Sequence, residues 1–159
     1  REIAQILQDP VVMTAYEHAF SDAEVEEWIA RQLGRYEQYG FGLWAVLRKE
    51  DGRLIGQTGL TVQETPNGPV LEIGYLYAKA YWHQGYATEA AEGCKRYAFE
   101  TLGSDEVCCI IRDNNLPSQR VAVRLGMRSV GRFVKRYYGM DMPHIIYRIT
   151  RDEADADSL

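Results

Sequence analysis

Apolar residues recur at helical spacing up to Gly40, then at strand spacing through most of the chain, with two further helical stretches set among the strands. Ile3, Ile6 and Leu7 make a short helical face that Asp9-Pro10 stops. Val25, Trp28, Ile29, Leu33 and Tyr36 make a longer one. Its start is written in Ser21 and Glu24, an S-x-x-E capping box flanked by Phe20 and Val25 in staple positions, and Gly40 ends it. Phe41–Arg48 and Leu54–Val62 read as strands around Glu50-Asp51-Gly52, and Asp-Gly is a strong hairpin signal. Val70–Tyr77 is a third strand, beyond a loop Thr65-Pro66-Asn67-Gly68-Pro69.

Gly85–Leu102 reads as a helix with an apolar stripe of Ala87, Ala90, Ala91, Cys94 and Ala98, closed by Gly103. Glu92, Arg96 and Glu100 follow one another at i,i+4 on its outer side. Glu106–Ile111 is an apolar strand. Pro117–Leu125 is a short helix with Pro117 in its first turn and Gly126 just past its end. Ser129–Tyr138 and Ile145–Thr150 read as a closing hairpin, and Asp152–Asp157 as a loose acidic tail. There is no repeat, linker or low-complexity block. Helices, then antiparallel strands, then β-α-β-α-β-β predict one mixed α+β domain over residues 1–151, with 152–159 as the tail.

Composition narrows the function classes. The 159 residues suit one domain that buries roughly 70% of its unfolded surface. With 46% hydrophobic and 26% charged residues the chain is neither disordered, collagen-like nor a coiled coil. No apolar run approaches the roughly 20 residues that span a bilayer, and no secretory signal opens the sequence, so a cytoplasmic protein with no membrane partner is expected. The net charge of −5 argues against a broad nucleic-acid groove. The six cations between Gln119 and Arg136 (Arg120, Arg124, Arg128, Arg132, Lys135, Arg136) read as a solvated face or, for one or two, as phosphate contacts. Cys94, Cys108 and Cys109 have no metal-ligand spacing and read as buried thiols, and His18 and His83 add no metal pattern.

The chemistry concentrates between Glu72 and Ala90, where a strand runs into a short turn that opens a helix. Gly85 lets a ligand approach the backbone. The first amides of the following helix have no partner within it, and the positive end of its dipole adds about 0.3–1 kcal/mol toward an anion. Such a start suits a pyrophosphate, and it equally suits plain capping. Gly74, inside the strand, fits either a bulge or tight packing beneath a side chain.

Trp82-His83-Gln84-Gly85-Tyr86-Ala87 resembles the acyl-CoA loop Q/R-x-x-G-x-G/A of the GNAT acetyltransferases, with Trp82 in place of Gln or Arg. Asn115-Leu116-Pro117-Ser118 followed by Arg124-Leu125-Gly126-Met127 resembles the second signature, N-x-x-S and a short helix ending in K-x-G-F. Tyr-Trp-x-x-Gly-Tyr-Ala-Thr-Glu-Ala is similar to the Rim-type branch, the ribosomal-protein N-terminal acetyltransferases. The matches cover about residues 11–150 in order; the family's opening strand of T-x-R-L-x-L-R type has no counterpart before Glu2. The resemblance implies a mixed central sheet with splayed central strands, flanked by helices. It implies acetyl-CoA as co-substrate, with no metal. Amides from His83, Gln84, Gly85, Tyr86, Ala87 and Thr88 would cradle its pyrophosphate. Leu76, Tyr77 and Ala78 would pair with the pantetheine arm, as would Asn115.

Acyl transfer to an amine needs a neutral amine, a stabilised oxyanion and a proton for the leaving thiolate. By resemblance Glu72 takes the place of a catalytic base and Ser118 that of a serine presented to the thiol. The tyrosine that many relatives carry four residues before the closing glycine is replaced by Ala122. Trp44, Tyr138 and His144 come from segments that would border the acceptor. The reading is an N-acetyltransferase acting on a protein N-terminus or small amine by direct attack, and it leaves room for a homodimer. A non-catalytic CoA-binding or regulatory module is the competing reading. A dinucleotide-binding fold would need G-x-G-x-x-G and repeated β-α-β units.

Overall fold

A computed structural model describes residues 2–16, 18–137 and 139–157. Six strands, β1 (Leu43–Leu47), β2 (Leu54–Thr65), β3 (Gly68–Tyr77), β4 (Glu106–Arg112), β5 (Arg128–Tyr137) and β6 (Met140–Thr150), lie in the order β1-β2-β3-β4-β6-β5. Helices α1 (Glu2–Leu7), α2 (Asp22–Tyr39), α3 (Tyr86–Glu100), α4 (Leu116–Arg124) and α5 (Arg151–Asp157) complete the mixed α+β domain. The chain divides into two compact units, Arg1–Thr61 with Gly74–Ala91, and Val62–Ile73 with Glu92–Leu159.

In the first unit α2 begins as its sequence dictates. Ser21 Oγ accepts from Glu24 N–H at 3.2 Å, and Glu24 Oε1 accepts from Ser21 N–H at 3.1 Å. Gly40, at φ 77°, closes it. Ile6, Leu7, Val12, Met13 and Val25 form a buried cluster against which Phe20, Trp28, Leu76, Ala78 and Trp82 pack. Gln32 is a polar exception on the buried side of α2, and its Oε1 accepts the Leu43 amide at 3.1 Å. β1 and β2 are joined at Asp51-Gly52, with Gly52 at φ 68°. Gly74 packs beneath Leu43, where a Cβ would meet Leu43 Cδ2 at 3.3 Å, so the packing alternative accounts for it.

The turn between β2 and β3 is tighter than expected. β2 runs to Thr65 and β3 starts at Gly68, leaving Pro66-Asn67 as the turn. The Thr65 hydroxyl, which donates to Gly68 C=O at 2.7 Å and accepts from Asn67 N–H at 3.3 Å, holds it closed.

In the second unit β4 lies antiparallel to β6, from Glu106 opposite Thr150 to Arg112 opposite His144. Val107, Cys108, Cys109 and Ile111 of β4 are buried. The three thiols are unbridged, and burial pushes Cys94 up to about 11 and Cys108 up to about 12, which keeps them protonated and unreactive. Two expectations are corrected. β6 begins at Met140, so His144 lies within a strand and not in a turn. The supposed loose tail is helix α5, because Thr150 and Glu153 form a capping box: Glu153 N–H donates to Thr150 Oγ1 at 3.2 Å and Thr150 N–H to Glu153 Oε1 at 3.3 Å. Arg151 then fastens the helix to Phe99 C=O and Ser104 C=O.

Two glycines separate packing from propensity. A Cβ on Gly59 would run into the Gly42 carbonyl and Leu43 Cα, whereas one on Gly34, inside α2, meets nothing within 4 Å. Gly59→Ala is expected to destabilise by about 1–3 kcal/mol, and Gly34→Ala to stabilise by about 0.5–1 kcal/mol, both read from urea unfolding.

Candidate functional site

The first unit contributes a turn. Tyr77, buried at the end of β3, joins its hydroxyl to Thr58 Oγ1 at 2.6 Å. Ala78 N–H donates to Ile55 C=O, and one 3-10 turn, Lys79–Tyr81, follows. Trp82 folds back so that its indole N–H donates to Tyr77 C=O at 2.9 Å. Gln84 Nε2 donates to Ala80 C=O at 2.9 Å. Between these anchors His83 sits at φ 62° and Gly85 at φ 85°. Glycine holds such a conformation without cost. A non-glycine residue there stores strain of order 1–3 kcal/mol.

α3 starts directly after Gly85, and its first helical bond is Glu89 N–H to Gly85 C=O at 3.0 Å. The amides of Tyr86, Ala87 and Thr88 therefore have no partner inside the helix. A Cβ on Gly85 would meet nothing within 4 Å, so the space beside Gly85 itself is open. Left-handed residues at alternate positions, followed by free helical amides, make a concave set of donors with the chemistry of an anion seat. The residues Leu76–Thr88 singled out by the sequence are thus gathered in one strand end, turn and helix start.

The second unit holds Glu72. β3 and β4 run parallel, and their register among the described residues is Glu72 opposite Cys108. Asp113 N–H donates to Pro143 C=O beside β6. Amides alternate edges along a strand, so Ile110 N–H faces β3. It donates to the Glu72 carboxylate at 2.7 Å. The half-buried carboxylate is thereby held in one orientation.

Asn115 is the N-cap of α4, with Oδ1 accepting Ser118 N–H at 3.4 Å, so these two predicted residues meet. Gln119, which the sequence reading passed over, ties α4 to the end of β4 by donating to Asp113 C=O at 2.9 Å and Arg112 C=O at 3.3 Å. It also accepts the Tyr147 hydroxyl at 3.1 Å. No sequence pattern marks that contact. Ala122 is fully buried. His144 is buried, with Nδ1 2.7 Å from Met142 C=O, and burial lowers its pKa, which favours the neutral ring. Trp44 is half-buried in β1, opposite Thr58, and belongs to the other unit. Tyr138 lies outside the described residues. Among the described residues no helix is long and apolar enough to cross a membrane, and no three His, Cys, Asp or Glu side chains group as metal ligands.

A family model described as an acetyltransferase (GNAT) domain matches residues 1–128. The uncharacterized protein YkkB of Bacillus subtilis is 35% identical over 122 residues, 77% of this chain and 71% of that protein. An Aspergillus fumigatus protein named FsC-acetyl coenzyme A-N(2)-transacetylase is 31% identical, over 91% of this chain and 66% of its own. A GNAT-family acetyltransferase structure from Bacillus anthracis superposes with a TM-score of 0.78 at 22% identity, covering 94% of this chain and 87% of that one.

The Ile110 contact sets a prediction. Glu72→Ala leaves a part-buried amide without its acceptor and is expected to cost about 1–3 kcal/mol in chemical denaturation. Glu72→Gln keeps an acceptor oxygen and is expected to cost less than half as much.

Proposed function

The chain belongs to the GNAT acetyltransferase family, and from that premise we propose that it transfers acetyl from acetyl-CoA to a primary amine. Acetyl-CoA is the co-substrate of this fold and supplies an acetyl group activated as a thioester. The observation that carries the reading is the donor set His83–Thr88: two left-handed residues, three helical amides without helical partners, and open space at Gly85. That set fits a pyrophosphate. The strand end Leu76–Ala78 offers backbone groups to an extended pantetheine arm, and the Asn115 side chain, its oxygen engaged as the α4 cap, offers its NH2.

Glu72 is the proposed base, acting through water on an amine that must be neutral to attack. An α-amino group near pKa 8 costs about 1.4 kcal/mol to deprotonate at pH 7, and a lysine about 4.6 kcal/mol, so a weakly basic amine asks less of one carboxylate. Ser118 is the proposed hydroxyl toward the leaving thiolate. The acceptor is a protein N-terminus, by likeness to the Rim-type branch, or a small amine. The Aspergillus relative, named for N(2) transacetylation, supports nitrogen as the acceptor atom.

One observation favours a second reading, a CoA-binding module without turnover. Ala122, where many relatives carry a tyrosine, is buried and has no hydroxyl. Release of free thiol from acetyl-CoA across an amine panel decides: turnover on any amine establishes the enzyme, and CoA binding without thiol release on every amine establishes the module.

Gly85→Leu is expected to weaken CoA binding by about 1 kcal/mol or more, because a side chain would fill the open space at Gly85 and the left-handed backbone would shift. Unchanged affinity by calorimetry overturns the placement. Glu72→Gln is expected to slow acetylation more at pH 7 than at pH 9, where free amine is plentiful. A defect of equal size at both removes Glu72 from the base role.

A further inference from the structure

Arg48 follows β1 and stands at the foot of the Glu50-Asp51-Gly52 turn. Its backbone closes that turn, accepting from Gly52 N–H at 2.7 Å and donating to Arg53 C=O at 2.8 Å. Its guanidinium is forked onto Asp51, with Nε 3.1 Å from Oδ1 and Nη2 2.5 Å from Oδ2, and Glu50 lies 3.9 Å away. The fork holds the Asp51 carboxyl down at about 2. The same guanidinium lies over the ring of Tyr81, 5.1 Å from its centroid.

Tyr81 immediately precedes Trp82, and Tyr86 is the first residue of α3. Their rings meet edge to face at 6.2 Å. The guanidinium therefore bears on Tyr81 before the turn Trp82–Gly85 and, through that ring, on Tyr86 after it, and the turn between them carries His83 and Gly85 at positive φ. We propose that Arg48 is a positioning residue that clamps this turn across Tyr81 and Tyr86 and holds its amides in the anion-binding arrangement before ligand arrives. The inference rests on the reading of the turn as the pyrophosphate seat. Arg48 is not a phosphate ligand in this account, since Asp51 already pairs its charge and takes two of its five donors. What it supplies is shape: a planar group held by Asp51 over the Tyr81 ring, which an ammonium cannot reproduce.

Three variants and two readouts test the clamp. Amide hydrogen exchange of Trp82 and Glu89, whose N–H groups bond Lys79 C=O and Gly85 C=O on either side of the turn, is measured in the ligand-free protein, and CoA affinity by calorimetry. Arg48→Lys and Arg48→Met are both expected to speed exchange there and weaken CoA by about tenfold, with KM for acetyl-CoA rising more than kcat falls. Wild-type behaviour of Arg48→Lys in both readouts overturns the proposal, because charge alone would then suffice. Unchanged exchange in Arg48→Met overturns it as well. Should Arg48→Met fail to fold, Tyr81→Leu, which removes the ring beneath the guanidinium, decides: faster exchange at the turn supports the clamp, and wild-type exchange overturns it. If the unaltered protein does not bind CoA at millimolar concentration, the pyrophosphate reading fails by itself, and the exchange data still decide whether Arg48 holds the turn.

Discussion

An α-helix cannot satisfy its own first amides, and the way each helix meets that constraint organises this protein. α2 uses Ser21 and Glu24, α4 uses Asn115, and α5 uses Thr150 and Glu153. Each of these donates or accepts with a side chain from the same segment. α3 begins after Gly85, which has no side chain to give, and the space beside that glycine is open. An anion of several oxygens is the natural partner for three parallel donors at the positive end of a fifteen-residue helix. The side-chain capping that stabilises the starts of α2, α4 and α5 is withheld at the start of α3, and affinity for a phosphate group is what the omission can yield.

Withholding a cap leaves the turn to be held by other means. His83 in the left-handed region is a local cost. Neighbours pin both ends: the Trp82 indole on Tyr77 C=O, the Gln84 amide on Ala80 C=O, and the Tyr77 hydroxyl on Thr58. Trp82 also packs on the cluster of α1 and α2. The residue that departs from the family motif is thus the one that ties the turn to the core. Its indole donor is satisfied by the strand that feeds the turn, so loosening the core would loosen the donors with it.

Much of this was legible in the sequence because it is local. A capping box, an Asp-Gly hairpin, a left-handed glycine and a strand-turn-helix start each depend on a few adjacent residues. The errors arose where a local signal was overlooked or contradicted by context. Thr150 and Glu153 spell a capping box, and the acidic composition around them hid it. Pro66-Asn67-Gly68-Pro69 suggested a long loop, but the Thr65 hydroxyl closes a two-residue turn. Contacts between distant segments left no trace in spacing. Nothing about Gln119 foretells its bonds to Asp113 and Tyr147, and nothing about Arg48 foretells its place over Tyr81. The site is correspondingly divided: its backbone donors could be read from the chain, and the side chains that set them could not.

Glu72 shows why a motif position alone under-describes a residue. At the place of a base, its carboxylate is also the hydrogen-bond acceptor for an amide of the neighbouring strand. These duties are compatible, since a carboxylate has two oxygens and about four lone-pair sites. Binding the amide fixes the group's orientation, which a base acting through water requires. Removing the side chain would therefore leave that amide without its acceptor and, on the proposed reading, take away the base at once, whereas exchanging one oxygen for nitrogen separates the two. A contact between neighbouring strands and the proposed chemistry meet in the same side chain, so the geometry at Glu72 is better understood as one device than as a fold feature with a proposed role added to it.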